Sequence, residues 1–310
     1  SRVMYLVKPV YYMTEKKEPQ TQEEIGKVRE WLSKEDPISI FTHQKVDADA
    51  AFSAALLKVL RPQAAIKFVR ADSIIADERS IAVDLSEGSR AVKGLGVGSA
   101  FGLIVEVMKE IDRPVYNALR NWAKQLNLTD SGKYTRDGVV LADIVNAWLS
   151  LNFNDLKIVS RAEEMIKGKI LSAKRNHEQK KAADTIIIKE GIALVPKGIN
   201  VKAGHLFKRG AKAVIRQSKF GQSVMISKKL LKKGISFTEI ISLLPNGWFV
   251  HPQGFLAAFG TVKAPKDYKK SGIHINDLVT IIKTWIKSHE NADQFTKGIL
   301  ARSALFNTPN

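Results

Sequence analysis

Phe41-Thr-His43-Gln-Lys-Val-Asp47-Ala-Asp49-Ala-Ala-Phe-Ser53 joins an apolar run, Ile38–Phe41, to an Ala/Leu-rich stretch, Ala50–Leu60. The run has the length and apolarity of a buried strand, and the second stretch reads as a helix. One histidine and two aspartates thus fall at a strand–loop–helix junction. In open α/β sheets, ligands bind at the carboxyl ends of the strands. Asp47 and Asp49 are two positions apart, so a loop can aim each at a different ion. His43 adds an imidazole of the kind Mn²⁺ and Zn²⁺ accept beside carboxylates. It is the only histidine among the first 150 residues.

Further strands are expected at Ala65–Arg70 and at Ser80–Val83, the latter ending at Asp84. Asp84 therefore takes the same topological place as His43. Upstream, Ile25, Val28, Trp31 and Leu32 recur at helical spacing behind Thr21, and Pro37 stops that helix. Beyond Ser99 helices dominate to about Lys167, interrupted near Pro114, Asp130–Gly132 and Asn152–Asn154. Asp130, in Thr129-Asp130-Ser-Gly132-Lys-Tyr134, is a further carboxylate candidate. Strand alternating with helix predicts an α/β layer with a parallel sheet. Taken singly, each residue has an ordinary reading: an aspartate at a helix start is usually an N-cap, and a histidine at a strand end is usually just hydrogen-bonded.

Charge divides the chain. The 310 residues carry 49 Lys and Arg against 31 Asp and Glu, a formal net of +18. Residues 1–150 hold 21 basic and 20 acidic residues, and residues 151–310 hold 28 and 11, so the halves carry +1 and +17. A basic half joined to a near-neutral half implies a polyanionic partner, most commonly nucleic acid. Cysteine is absent, which excludes disulfides and thiolate chemistry. No run of 18 apolar residues and no basic-then-apolar leader occur, so a cytoplasmic protein without membrane association is expected. Lys167–Lys181 reads as a basic helical linker. After it come β-rich runs at Thr185–Ile188, Ile192–Val195, Ala213–Arg216 and Ser223–Ile226, then helices at Phe237–Leu244 and Ile275–Ser288. The expected organisation is an N-terminal domain over 22–150, a linker over 151–184, a smaller α+β domain over 185–290 and a tail over 291–310. In the second domain Lys208, Arg209, Arg216 and Lys219 are candidate phosphate contacts. Phe207, Phe220, Trp248, Phe249 and Phe255 interleave with them as candidate stacking residues, although most such aromatics serve a core.

His-x-x-x-Asp-x-Asp-x-x-x-Ser, from His43 to Ser53, resembles the first motif of the DHH phosphoesterase superfamily, which includes RecJ-type single-strand exonucleases, oligoribonucleases and pyrophosphatases. Val83-Asp84 is similar to its second motif and Thr129–Tyr134 to its fourth. Gly247-Trp-Phe-Val-His251-Pro-Gln-Gly254-Phe-Leu-Ala-Ala258-Phe-Gly260 is similar to the signature of the DHH-associated substrate-binding domain. The resemblance runs over about residues 35–290. It implies a DHH-type first domain and a DHH-associated second one, in which His251 and Gly254 contact phosphate. It also implies one ion on His43, Asp47 and Asp84. A second ion would need Asp49, Asp84, Asp130 and a histidine from the third motif, the Asp-His-His of the family name. That motif is missing: the interval Leu85–Gly98 contains neither Asp nor His and ends in Gly94-Leu-Gly96-Val-Gly98, whose spacing fails the dinucleotide-loop pattern. One Mn²⁺ or Mg²⁺ at most is therefore expected. Such degeneracy resembles the RecJ-like pseudo-nuclease subunits of the replicative helicase, which associate with GINS and MCM proteins. The resulting expectation is a nucleoid-associated binder of single-stranded DNA or RNA with a replisome role. The alternatives are an active Mn-dependent single-strand exonuclease or oligoribonuclease, a small-molecule phosphoesterase, and an RNA- or ribosome-associated binding protein.

Overall fold

The computed structural model describes residues 17–86, 88–133, 140–217, 221–240, 244, 247–261 and 273–306, with side chains omitted for 17, 18 and 291–306. The chain divides into two compact units at Lys174–Arg175.

The first unit is built on a four-stranded parallel sheet. Its strands are β1 (Ser39–His43), β2 (Ala65–Val69), β3 (Ser80–Val83) and β4 (Ala91–Val92), in the order β2-β1-β3-β4. β3 is buried along its whole length, as expected of a parallel strand covered on both faces. The covering helices are α1 (Lys17–Ser33), α2 (Ala48–Leu60), α3 (Ala100–Ile111), α4 (Arg113–Asp130), α5 (Leu141–Ser150) and the first half of α6 (Asp155–Asp184). Val28 and Trp31 of α1 enter the core on the face the sequence spacing marks, with Ile25 and Leu32 at its edge. Phe52 of α2 meets the edges of Phe101 and Trp122 at 6.0 and 5.8 Å, a preferred geometry for aromatic pairs. Pro114 begins a helix rather than breaking one: it sits in the first turn of α4, where its missing N–H costs nothing, behind the N-cap Asp112.

The second unit contains a mixed six-stranded sheet. Its strands are β5 (Ile188–Lys189), β6 (Ile192–Val195), β7 (Ala213–Gln217), β8 (Gln222–Ile226), β9 (Phe249–Val250) and β10 (Leu256–Phe259), ordered β5-β6-β7-β8-β10-β9. Only β6 and β7 pair in parallel. Short helices α7 (Ala203–Lys208) and α8 (Lys228–Leu231) and the long α9 (Ile275–Phe306) complete it. One face of the sheet packs on Leu278, Ile282, Trp285 and Ile286 of α9, with Phe237 stacked on Trp285 at 5.2 Å. The other face packs on Ala183 at the end of α6 and on Leu206 of α7.

Three local expectations change. The segment expected as a helix from Phe237 forms turns over Phe237–Ile240. α7, α8, β4, β9 and β10 are additional short elements, below the length at which periodicity speaks. α9 continues through most of the stretch expected as a tail. Among the described residues no helix is long and apolar enough to cross a membrane.

Candidate metal centre

His43 closes β1, Asp47 caps α2 four residues further on, and Asp84 follows β3, so two junctions of the parallel sheet converge at its carboxyl edge. His43 Nδ1 lies 2.9 Å from the carbonyl oxygen of Gln44. A carbonyl only accepts, so Nδ1 carries a proton and Nε2 is the nitrogen presented to the site. Nε2 lies 3.2 Å from Asp84 Oδ2 and 4.0 Å from Asp47 Oδ2. One donor atom from each of His43, Asp47 and Asp84 falls within 4.8 Å of the others. Asp47 divides its labour: Oδ1 accepts from Ala50 N–H at 3.0 Å, and Oδ2 remains for the site. Asp84 adopts φ +55, a left-handed conformation that costs a non-glycine residue about 1–2 kcal/mol. Its N–H still bonds Val92 O at 3.0 Å. The strain is retained where it turns a carboxylate towards His43.

The electrostatics fit a cation. The Asp84 carboxylate outweighs partial burial and, with the Gln44 carbonyl and the Asp47 charge, pushes the His43 imidazolium up to about 9. Desolvation and the neighbouring Asp84 charge hold the Asp47 carboxyl above its ordinary value. Asp130, the last residue of α4, is pushed up to about 6 by desolvation and by the charges of Asp84 and Asp47. It therefore lines the same negative edge, although it is not one of the three clustered donors. In the ion-free protein a proton on His43 does what a cation would do, namely relieve carboxylate repulsion. The donor set of one imidazole and two carboxylates suits Mn²⁺ or Zn²⁺ better than Mg²⁺.

Asp49 takes a different place. It is buried; Oδ2 accepts from Ala100 N–H at 2.7 Å, and Oδ1 from Phe101 N–H at 2.9 Å and Ser53 Oγ at 3.2 Å. These are the first two amides of α3, which have no partner inside the helix. Burial and the Asp84 charge raise its carboxyl well above the ordinary value despite these donors. The expected second-ion ligand thus ties α2 to α3. Asp49→Ala should lower stability by about 2 kcal/mol, because two buried amides lose their acceptor. Thermal denaturation checks this, and an unchanged melting temperature would refute it.

The described residues in the interval of the missing motif include β4 and a tight loop. Gly94 O accepts from Val97 N–H at 2.9 Å and from Gly98 N–H at 2.7 Å. Gly94 has φ +69, and a Cβ there would stand 1.8 Å from Ser99 O, so only glycine fits. The loop is anchored by Glu24, a buried residue of α1 that accepts from Lys93 N–H at 2.6 Å and Leu95 N–H at 3.2 Å.

Beside the centre lies a cleft of about 420 Å³ lined by Gln44, Lys45, Arg70, Ala71, Asp72 and Ser86. Its walls are the segments after β1, β2 and β3, so it opens at the same edge of the sheet. Arg70 pairs with Asp72 at 2.9 and 3.1 Å, both exposed.

In the second unit, His251 sits in the β9–β10 turn. Its Nδ1 accepts from Gln253 N–H at 3.2 Å, leaving Nε2–H as a donor. Its ring lies 4.3 Å from that of Phe255. Gly254 has φ +70 and would drive a Cβ to 1.7 Å from Ser236 Oγ; its carbonyl accepts from Phe237 N–H at 2.9 Å. Two residues expected as phosphate contacts also hold backbone carbonyls. Arg209 bonds the carbonyls of Ala183 and Ile186, and Arg216, half-buried, bonds Val201 O. Both guanidiniums close chain segments, since an arginine fork matches carbonyl oxygens as well as phosphate. Trp248 is core. Lys208 is exposed; Lys219 and Phe220 lie outside the described residues. Around His205 stand Lys208, Lys202 and Lys180, and burial together with these three charges lowers its pKa. Lys202 Nζ and His205 Nε2 share Asn176 Oδ1 at 3.3 and 3.2 Å. Among the described residues no carboxylate lies within ion-pair distance of these three lysines.

No protein-family model matches the sequence, and no curated protein matches it. Solved structures similar to it include PggH of Vibrio cholerae, a pGpG-specific phosphodiesterase, 15% identical over 82% of this chain and 99% of that one, with a TM-score of 0.32. RecJ of Thermus thermophilus in complex with Mg²⁺ is 15% identical over 78% of this chain at a TM-score of 0.28, and this chain spans about half of it, 49%. The DHH domain of a member of the s1p family of ribosomal proteins is 12% identical over 79% of this chain and 88% of that one, with a TM-score of 0.27.

Proposed function

We propose that this chain is a RecJ-like DHH-superfamily protein that binds single-stranded nucleic acid and keeps one divalent-ion site of a degenerate catalytic centre. One observation carries the reading: His43, Asp47 and Asp84 form a complete three-donor cluster, while of the donors expected for a second ion Asp49 is engaged elsewhere and the histidine is missing. Both Asp49 oxygens are bonded to α3 amides, and the third-motif interval, whose described residues form β4 and a tight loop, has no Asp or His. Hydrolysis by a two-ion clamp needs donors for both ions. A single ion here would supply a Lewis acid for one phosphoryl oxygen. The chain's own residues would do the rest: Asp47 and Asp84 supply the anionic donors, Gln44 fixes the imidazole tautomer, and Lys45 and Arg70 offer cations to a phosphate in the adjoining cleft. Strand binding is supported by the +17 of the second half, by the lysines around His205 and by the His251–Phe255 ring pair, a stacking platform with a polar tip. The same degeneracy supports, as the finer proposal, a strand-guiding role beside GINS and MCM-type replisome proteins.

The test uses end-labelled single-stranded DNA and RNA, with and without Mn²⁺, on the wild type and on His43→Ala/Asp84→Ala. Binding without cleavage, equal in the variant, is expected. Mn²⁺-dependent cleavage that the variant loses would instead make the protein an active exonuclease or oligoribonuclease. Preference for structured RNA would favour a ribosome-associated role.

A further inference from the structure

His43, at the end of β1, and Asp47 are linked by a short hinge, Gln44–Val46, with its own irregularity. Lys45 has φ +56, so the hinge stores backbone strain that something must hold. Successive N–H groups flanking such a residue converge and form an anion cradle. Here the anion is Asp155, the first residue of α6. Its Oδ2 accepts from Lys45 N–H and its Oδ1 from Val46 N–H, each at 3.0 Å. Val46 itself is fully buried, which pins the hinge from the other side. Asp155 is not needed as the cap of its own helix: Asn154 Oδ1 does that, accepting from Lys157 N–H at 2.9 Å.

We propose that Asp155 is a positioning residue of the metal centre: its carboxylate clamps the amides of Lys45 and Val46 and so sets the distance between His43 Nε2 and Asp47 Oδ2. The inference rests on reading His43, Asp47 and Asp84 as ion donors. It adds a residue that touches neither ion nor substrate and acts through the backbone. Outer partners that orient metal ligands typically matter 10- to 100-fold in affinity.

The experiment compares Mn²⁺ affinity, by electron paramagnetic resonance of free Mn²⁺ at fixed pH, with thermal stability and amide exchange at Lys45 and Val46. Asp155→Asn is the central variant, since it preserves size but turns an NH₂ towards an N–H. Asn154→Ala is the control, since it removes the α6 cap without touching the hinge. Asp155→Asn is expected to weaken Mn²⁺ binding about tenfold or more and to speed exchange at Lys45 and Val46. Asn154→Ala should lower the melting temperature while leaving Mn²⁺ affinity near wild type. Equal Mn²⁺ losses in the two variants, or none in Asp155→Asn, would overturn the proposal. If the wild type takes up no Mn²⁺, the one-ion reading of the centre fails; unchanged exchange in Asp155→Asn would then defeat the clamp independently.

Discussion

Between pH 6 and pH 8 the apparent affinity for Mn²⁺ is expected to rise about a hundredfold. The cause is competition at His43. Asp84 at 3.2 Å holds the imidazolium up to about 9, so the ion-free protein carries a proton on the nitrogen an ion must use. Each ion bound therefore releases about one proton, and log K climbs by about one per pH unit until pH approaches 9. Asp130, pushed up to about 6, adds negative charge over the start of this range and steepens it slightly. The ion-free protein should behave in the opposite sense. A pKa raised in the folded state stabilises below the unfolded value of 6.5, and that contribution is lost as pH rises through about 9. The melting temperature without Mn²⁺ should thus fall across pH 6.5–9, while the shift added by saturating Mn²⁺ grows. Isothermal titration in two buffers of different ionisation enthalpy counts the protons. An affinity flat with pH, or no proton release, would place the ion elsewhere.

Much of this centre was legible in the sequence, and the reason is physical. His43 and Asp84 are fixed by strand ends and Asp47 by the start of α2, and strand ends are set by local apolar runs such as Ile38–Phe41 and Ser80–Val83. Once the sheet is parallel, their convergence follows. The role of Asp49 was not legible. Its spacing from Asp47 allows either an ion or a buried anchor, and only the packing of α3 against α2 decides, since Ala100 and Phe101 bring their free amides to it. Glu24 and Asp155 were invisible for a related cause. Each accepts from backbone amides at least 69 positions away, and a carboxylate's partner at that separation leaves no periodic trace. The carbonyl partners of Arg209 and Arg216 were not legible either, because cations in a basic domain look alike in sequence and such partners appear only in three dimensions.

Replacing Lys180, Lys202 and Lys208 by Glu should weaken binding to single-stranded DNA about a hundredfold or more at low salt. These three lysines lower the His205 pKa against the opposing charge of Asp184, so their mutual repulsion is only partly relieved. A polyanion relieves that repulsion and releases its own condensed counterions as it binds. The gain has a signature that packing lacks: each phosphate neutralised on a single strand adds about 0.7 to the slope of log K against log salt. Losing three contacts should flatten that slope by about 2. The comparison is Lys228, Lys229 and Lys232 changed to Glu, three lysines at and just after α8 that alter net charge by the same amount. If the charge acts only through the overall field, the two triple variants will lose affinity alike. If the His205 face holds the strand, its variant will lose far more and will alone flatten the slope. His251→Ala should act in a third way, lowering affinity about tenfold or less with little change in slope, because its ring contributes stacking and one Nε2–H donor rather than a fixed charge. Fluorescence anisotropy across a salt series on the three variants separates these contributions, and identical slopes in all of them would leave the second unit's charge as a surface property rather than a binding site.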